Sequence, residues 1–330
     1  MSSLSPEHLN LVERMLAGDR RALARLMTLI ESRPAGIYQL MSLVSEQMRG
    51  APRLGLTGPP GAGKSTLIDQ LIRLWRAAGR KVGAIAVDPS SPFSGGAVLG
   101  DRVRMQEHAL DEGVFIRSLG SRGSHGGISR ATMEMGCLLD AFGMDEILIE
   151  TVGVGQTELD IMGIADTTVV VLVPEAGDAI QTLKAGLMEI GDVFVVNKAD
   201  REGAGRLAAE VRAMLELKPG GGGWTVPVIM SSARDGVGIR ELVDAIEDHR
   251  EYRKGHPRAD QFKAGYLERW LIELILAELH ERLRAATDGA ASELFSAVRE
   301  GRLDPYSAAA RLLADPELLK TILGLDRRRE

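Results

Sequence analysis

Residues 58–65 read Gly-Pro-Pro-Gly-Ala-Gly-Lys-Ser, between an apolar segment at 54–57 and a helical pattern at 65–78. This spacing between a strand and a helix is typical of a phosphate-binding loop. Its glycines let the backbone curl with N–H groups directed inward, and the following helix adds a positive partial charge. We therefore predict a phosphate site whose donors belong to the run Gly61, Ala62, Gly63, Lys64, Ser65 and Thr66.

The loop also carries the groups that phosphoryl transfer needs. We expect Lys64 to act on the β- and γ-phosphates as a point charge, and the Ser65 hydroxyl to ligate Mg²⁺. Three carboxylates, Asp88, Asp101 and Glu150, are further candidates for the metal, directly or through water. Asp88 could instead orient the attacking water, and Asp101 could be only a helix N-cap.

A second motif indicates which base the site reads. The apolar run 193–196 ends in Asn197-Lys-Ala-Asp200, at the edge where parallel sheets hold ligands. The Asp200 carboxylate offers two acceptors for the N1–H and 2-amino donors of guanine, whereas adenine has neither donor. Asn197 can bridge guanine N7 to the phosphate loop, and the Lys198 stem can lie over the ring. Ser232-Ala233 could add a backbone N–H for guanine O6, so we predict GTP and GDP as ligands.

Composition limits the classes of partner and site. The chain has 330 residues and a formal charge of −6, with only 4% aromatic residues, so we expect no nucleic-acid partner. Cys137 is the single cysteine and the histidines are scattered, which argues against a disulfide framework and a Cys/His metal cluster. Residues 1–21 contain Glu7, Glu13 and Asp19 and lack an apolar core, and no run is long enough to span a bilayer. We therefore expect a cytoplasmic protein without a membrane partner.

The order of patterns predicts an α/β fold, a P-loop GTPase with a mostly parallel central sheet. Residues 1–50 form a predicted N-terminal helical extension, 51–253 the GTPase domain and 254–330 a C-terminal helical arm. Strands are expected near 53–57, 82–88, 114–118, 146–151, 167–173, 193–197 and 226–231. The arm carries an apolar stripe that must be buried against its own core or another subunit, which makes a homodimer plausible; it consists of Leu267, Trp270, Leu271, Leu274 and Ile275.

Two glycine-rich segments interrupt the alternation of strands and helices. Residues 89–100 are the better candidate for a switch that the γ-phosphate orders, and residues 117–127 are either an anion or partner contact or a plain connector.

Five motifs together resemble the methylmalonyl-CoA mutase-associated G-proteins, the MeaB/ArgK family of P-loop GTPases. They are Gly58-Pro-Pro-Gly-Ala-Gly-Lys-Ser65, Val87-Asp-Pro-Ser-Ser-Pro-Phe93, Leu119-Gly-Ser-Arg-Gly-Ser-His-Gly126, Glu150-Thr-Val-Gly-Val-Gly-Gln156 and Asn197-Lys-Ala-Asp200. The resemblance implies a homodimeric GTP-hydrolysing chaperone of adenosylcobalamin-dependent methylmalonyl-CoA mutase, which gates cofactor loading and protects the mutase from inactivation. It also implies a third switch facing the mutase, formed by Asp178, Gln181 and Lys184.

One motif departs from the wider GTPase pattern. Glu150 stands where an aspartate is common, Val154 follows Gly153, and Gln156 comes two residues too late for the usual catalytic glutamine. We therefore expect slow intrinsic turnover that a partner accelerates. Two alternatives are a transport-linked ATPase or kinase acting on a periplasmic amino-acid-binding protein, and a nickel-inserting GTPase; Asp200 argues against the first, and the absence of Cys and His clustering against the second.

Overall fold

The computed structural model contains a seven-stranded sheet in which all the paired strands run parallel. It describes residues 4–34, 36–88, 106–108, 110–120, 130–151, 157–174, 186–217, 223–256 and 258–324. The strands are β1 Arg53–Thr57, β2 Val82–Asp88, β3 Val114–Gly120, β4 Glu146–Glu150, β5 Thr167–Leu172, β6 Val193–Val196 and β7 Val228–Met230. Their order across the sheet is β3-β2-β4-β1-β5-β6-β7, which confirms the predicted fold class.

The strand sequences explain the parallel arrangement. Every residue of β4, β5 and β6 is buried, because helices cover both faces of the sheet, and such strands read as continuous apolar runs. The main core lies between the central strands and the helices that pack on them, and Trp75 and Ile246 are among its buried residues.

Helices precede, connect and follow the strands. They are α1 Pro6–Leu16, α2 Arg20–Ser32, α3 Ile37–Ser45, α4 Lys64–Ala77, α5 Arg130–Phe142, α6 Thr157–Ile164, the short α7 Met188–Ile190, α8 Ala204–Glu216, α9 Ile239–Lys254, α10 Arg258–Ala286, α11 Ser292–Arg299, α12 Pro305–Ala314 and α13 Pro316–Leu323. A 3₁₀ turn, Gln106–His108, precedes β3. Among the described residues, no helix has both the length and the apolar character needed to cross a membrane.

The N-terminal helices pack on the sheet domain. Ser5 and Asp19 cap α1 and α2 through their side chains, as the Ser-Pro and Asp-Arg patterns favour. Both α2 and α3 contact α5. Arg33 forms an ion pair of 2.5 Å with the buried Glu134. The burial of Glu134 raises the pKa of its carboxyl group. The extension therefore shares a compact unit with the sheet.

The contacts divide the chain into two units, Met1–Pro257 and Arg258–Glu330. The second unit has a small core of its own, in which Ala286, Ala291, Leu312 and Ile322 are buried. On α10, three residues of the predicted apolar stripe, Leu267, Leu271 and Ile275, are at least half exposed. The division at residues 50 and 253, and the arm's role in dimerisation, stay predictions.

Candidate nucleotide site

The phosphate loop lies where β1 ends and α4 begins. Gly58, Gly61 and Gly63 have φ of 136°, 74° and 88°, a region that residues with a side chain rarely adopt. A Cβ on Gly58 would lie 2.1 Å from the carbonyl oxygen of Val171 on β5. The chain therefore passes so close to its neighbouring strand that only glycine fits there.

Lys64 and Ser65 open helix α4, and both are buried. The Lys64 Nζ donates to the carbonyl oxygens of Gly58 at 2.8 Å and Pro59 at 3.2 Å, so its ammonium group crosses the mouth of the loop. Helix α4 begins after Gly63 without a capping side chain. Its first-turn N–H groups and positive dipole end therefore adjoin the loop, which is the arrangement that binds phosphate.

Two oxygen ligands suited to a divalent cation meet beside the loop. The Ser65 hydroxyl donates to Glu150 Oε1 at 2.9 Å, and both residues are about 5% exposed. A hydroxyl and a carboxylate at the edge of a phosphate site are the donor set that Mg²⁺ prefers. The chain thus fits the metal: Ser65 and Glu150 would hold it, and it would supply charge neutralisation of the phosphates.

The other predicted catalytic and switch residues lie at or beyond the limits of the described residues. Asp88 is the last residue of β2, which ends at the same edge as β1 and β4, but its side chain lies outside the described part of the structure. Also outside the described residues lie Asp101, Gln156, Asp178, Gln181 and Lys184, as well as segment 89–100. Their roles stay predictions.

Asn197 joins the base-reading motif to the phosphate loop. Its side chain is buried, and Nδ2 donates to the carbonyl oxygen of Ala62 at 2.8 Å. Its Oδ1 accepts from the Ser231 hydroxyl and from the Ala233 backbone N–H, each at 3.1 Å. One amide therefore binds together the loops that follow β1, β6 and β7, and a Cβ on Gly63 would collide with it at 2.3 Å.

The remaining base-reading residues lie at the rim. Lys198 adopts a left-handed φ of 56°, which turns the chain so that Asp200 follows at the surface. The Asp200 side chain is 38% exposed, and its Oδ1 accepts from the Ser232 hydroxyl at 3.2 Å. The Ala233 N–H predicted for guanine O6 donates to Asn197 here, so its contact with a base stays a prediction.

Sequence reasoning missed several groups at this edge. Thr57 and Thr151 are buried at the ends of β1 and β4, and the Thr151 hydroxyl lies 3.0 Å from that of Thr57. Ser231 was overlooked because it precedes the recognised Ser-Ala pair by one residue. The signal that could have found all three is a hydroxyl residue at, or directly after, the carboxyl end of a predicted strand.

A parallel sheet, a phosphate loop opening a helix, and an Asn-Lys-x-Asp loop held against it define the protein as a P-loop GTPase. The sequence model of the family "Methylmalonyl Co-A mutase-associated GTPase MeaB" matches residues 23–288. The chain belongs to this family, so it is an enzyme that binds guanine nucleotides and hydrolyses GTP.

Individual relatives agree with that membership. A Pyrococcus abyssi protein named as a GTPase is 46% identical over 309 residues, covering 92% of this chain and 95% of that protein. The mitochondrial methylmalonic aciduria type A homolog of Mus musculus is 38% identical over 267 residues, covering 74% of this chain and 64% of that protein. A crystal structure of an LAO/AO transport system kinase matches with a TM-score of 0.70 at 29% identity, covering 95% of this chain and 99% of that one.

Proposed function

We propose that this GTPase is a chaperone of an adenosylcobalamin-dependent methylmalonyl-CoA mutase, and that it gates cofactor loading and protects the mutase from inactivation. The observation that carries the proposal is the family match, which spans residues 23–288 and whose name states the association with the mutase. The similarity to the methylmalonic aciduria type A homolog supports the same partner. The protein would act in the cytoplasm.

The site geometry supports a nucleotide-controlled role. Asn197 links the base loop to the phosphate loop, so a bound guanine nucleotide would contact the loops that follow three strands. Mg²⁺ would lie at Ser65 and Glu150, beside the end of β2 from which the predicted switch 89–100 departs. Loss of the γ-phosphate would then change the contacts at the end of β2, where the predicted switch begins.

We further propose that intrinsic hydrolysis is slow and that the mutase accelerates it. The support is the sequence after β4, in which Val154 rather than glutamine follows Gly153. A site without the usual glutamine to orient water is completed when a partner supplies or positions such a group. Asp88 and the predicted third switch, with Asp178, Gln181 and Lys184, are the residues through which we expect this effect.

A homodimer is the proposed assembly. Leu267, Leu271 and Ile275 of α10 are 53%, 57% and 50% exposed, and a second copy of the arm would cover them. A monomeric mass in sedimentation experiments at micromolar concentration would contradict this assembly.

The experiment combines the chain with purified methylmalonyl-CoA mutase and measures GTP hydrolysis and mutase survival during turnover. We expect faster hydrolysis with the mutase, and slower mutase inactivation when GTP is present. The matched control is the Lys64→Met variant, which should not convert nucleotide binding into turnover. Unchanged hydrolysis, together with no complex in the GDP or GTP-analogue state, would refute the chaperone role and leave the GTPase assignment intact.

The second candidate is a transport-linked kinase acting on a periplasmic amino-acid-binding protein, which the similarity to the LAO/AO transport system kinase favours. It requires phosphate transfer to a protein, whereas the chaperone requires only transfer to water. Incubation with γ-labelled ATP and GTP therefore separates the two candidates, because only a kinase leaves label on the binding protein.

A further inference from the structure

Two side chains approach the proposed base-reading carboxylate from the loop after β7. The Ser232 hydroxyl lies 3.2 Å from Asp200 Oδ1, and Arg234 Nη2 lies 3.6 Å from Asp200 Oδ2. Both groups are hydrogen-bond donors, and so are the N1–H and 2-amino groups of guanine, from which Asp200 is proposed to accept hydrogen bonds. Donors from the protein and from the base would therefore share the same two oxygens.

The same two side chains contact a second carboxylate more closely. The Ser232 hydroxyl lies 2.5 Å from Asp235 Oδ2, and Arg234 places Nε and Nη2 at 3.1 and 3.2 Å from the two Asp235 oxygens. The hydrogen bonds from Arg234 and Ser232 lower the pKa of Asp235, so it is ionised at neutral pH. The attraction is thus divided between two carboxylates, and Asp235 has the shorter contacts.

A tight turn fixes where Asp235 stands. Its backbone N–H donates to the carbonyl oxygen of Ser232 at 3.0 Å, while Ser232 and Val237 exchange two backbone hydrogen bonds of 3.0 and 3.1 Å. Gly238 then opens α9 with a φ of 77°, and a Cβ there would meet the carbonyl oxygen of Met230 at 2.2 Å. Asp235 is therefore held beside Ser232 by the backbone.

A serine hydroxyl carries one proton, which can make a strong bond to only one carboxylate at a time. We propose that Asp235 is a positioning residue for purine selection, which holds the Ser232 proton and the Arg234 guanidinium so that both Asp200 oxygens stay available to guanine. This inference rests on the proposed role of Asp200 as the base reader. Asp235 itself need not touch the nucleotide.

The test replaces Asp235 by an uncharged residue of the same shape. In Asp235→Asn, Arg234 loses its nearer carboxylate and should pair with Asp200, and guanine must then displace it. We expect GDP to bind about threefold more weakly, since an exposed ion pair is weak, with kcat at saturating GTP unchanged. The matched control is Asp244→Asn, which removes an exposed charge on α9 and should leave GDP affinity as it was.

A double variant distinguishes positioning from a general structural effect. Adding Arg234→Gln to Asp235→Asn removes the competing cation, so GDP affinity should return toward the original value. Wild-type GDP affinity in Asp235→Asn, or no recovery in the double variant, would overturn the inference.

A separate variant tests the base reader on which the inference depends. Asp200→Asn should shift preference from guanosine to xanthosine diphosphate, because the amide can donate to the 2-oxygen of xanthine. If that preference does not change, Asp200 is not the base reader, whatever the Asp235 variants show.

Discussion

The parallel sheet has a carboxyl edge, where the carboxyl ends of its strands lie, and an amino edge, where their amino ends lie. These two edges are built from different kinds of contact. At the carboxyl edge, the loops after β1, β6 and β7 are joined by uncharged hydrogen bonds through the Asn197 amide, and glycines allow close backbone approach. At the amino edge, ion pairs and aspartates join the strands. The difference separates function from stability, since the groups proposed to meet a nucleotide lie at one edge and the buried charge pairs of Glu146 at the other.

The amino edge shows a repeated device. Asp145, Asp166 and Asp192 each directly precede a strand, and each accepts a hydrogen bond from a backbone N–H at the start of a neighbouring strand. The donors are Lys81, Arg53 and Thr168, at 2.7, 2.9 and 2.8 Å. In each case the carboxylate accepts a hydrogen bond from a backbone N–H at the end of a strand, which would otherwise need a water molecule as its partner.

The largest expected effect comes from a substitution at the carboxyl edge that lowers activity and leaves the fold intact. Lys64→Met keeps most of the stem and removes the ammonium group that crosses the phosphate loop. We expect kcat for GTP to fall about 100- to 1,000-fold, since one preorganised charge at the transferring phosphoryl group is lost. Phosphate release at saturating GTP measures it.

The matched control is the same substitution at the amino edge. Lys254 ends α9 and its side chain is 74% exposed, so Lys254→Met should hydrolyse GTP at the original rate. Equal losses in the two variants would show that the edges do not differ in function as proposed.

The reciprocal experiment weakens the amino edge. Glu146 begins β4 with a side chain only 3% exposed, and it accepts from Arg250 at 2.7 and 3.0 Å and from Arg80 at 2.7 Å. Glu146→Gln removes the carboxylate that Arg250 and Arg80 share and leaves Arg80 only its more exposed pair with Glu247, so we expect the free energy of unfolding to fall by about 3 kcal/mol. Urea denaturation measures that loss, and affinity for GDP should be unchanged.

An exposed glutamate on α9, the helix that contains Arg250, serves as control. Glu251→Gln removes a carboxylate that is 76% exposed and pairs only at the surface with Lys254, and it should change stability by less than about 0.5 kcal/mol. A similar loss in both variants would mean that the buried pairs add nothing special at this edge.

The fold was predictable because parallel buried strands leave a strong local signal. All seven strands were expected, and the observed bounds differ from the predicted ones by at most a few residues. β7 is shorter than the predicted 226–231 and starts at Val228, after Pro227, which has no N–H to donate to a ladder. The sequence also predicts a helix over about 35–48, and the observed α3 is shorter, spanning Ile37–Ser45 after a left-handed Gly36.

The site was predictable only where one short motif contains all its parts. Asn197 is expected to bridge guanine N7 to the phosphate loop; the structure contains its hydrogen bond to the loop, and its contact with guanine stays a prediction. That Asn197 Oδ1 accepts from both Ser231 and Ala233, or that Asp235 competes with Asp200 for Ser232, depends on which side chains tertiary packing brings together. A local sequence pattern predicts backbone periodicity, but it does not predict which side chains will form hydrogen bonds with one another.

The aspartates of the amino edge were missed for a different reason. Asp145, Asp166 and Asp192 each stand directly before a predicted strand, so the pattern was visible in the sequence. A single acidic residue before a strand is commonly a solvated loop residue, and only the repetition across three strands sets it apart. The partners lie far along the chain, at sequence separations of 64, 113 and 24 residues.

The smallest expected effect concerns a histidine of the amino edge. His249 on α9 is buried, with Nδ1 3.0 Å from the Thr167 hydroxyl and Nε2 3.3 Å from Asp192. Burial, with the guanidinium groups of Arg253 and Arg250, lowers the pKa of His249 to about 4, although Asp166 opposes the shift. In the unfolded chain the same ring titrates near its ordinary value of 6.5.

The sign of the pH dependence follows from those two values. Between pH 6.5 and 4 the unfolded chain binds a proton on His249 that the folded chain does not, so acidification favours unfolding. Stability from this group is complete above pH 6.5, and we expect about 2 kcal/mol of it to be lost by pH 5. Urea denaturation at pH 7, 6 and 5 measures the loss, and His249→Gln, which keeps a partner for Thr167 but has no proton to bind, should lose less over the same range. Parallel pH curves for the two proteins would show that His249 does not make the amino edge sensitive to acid.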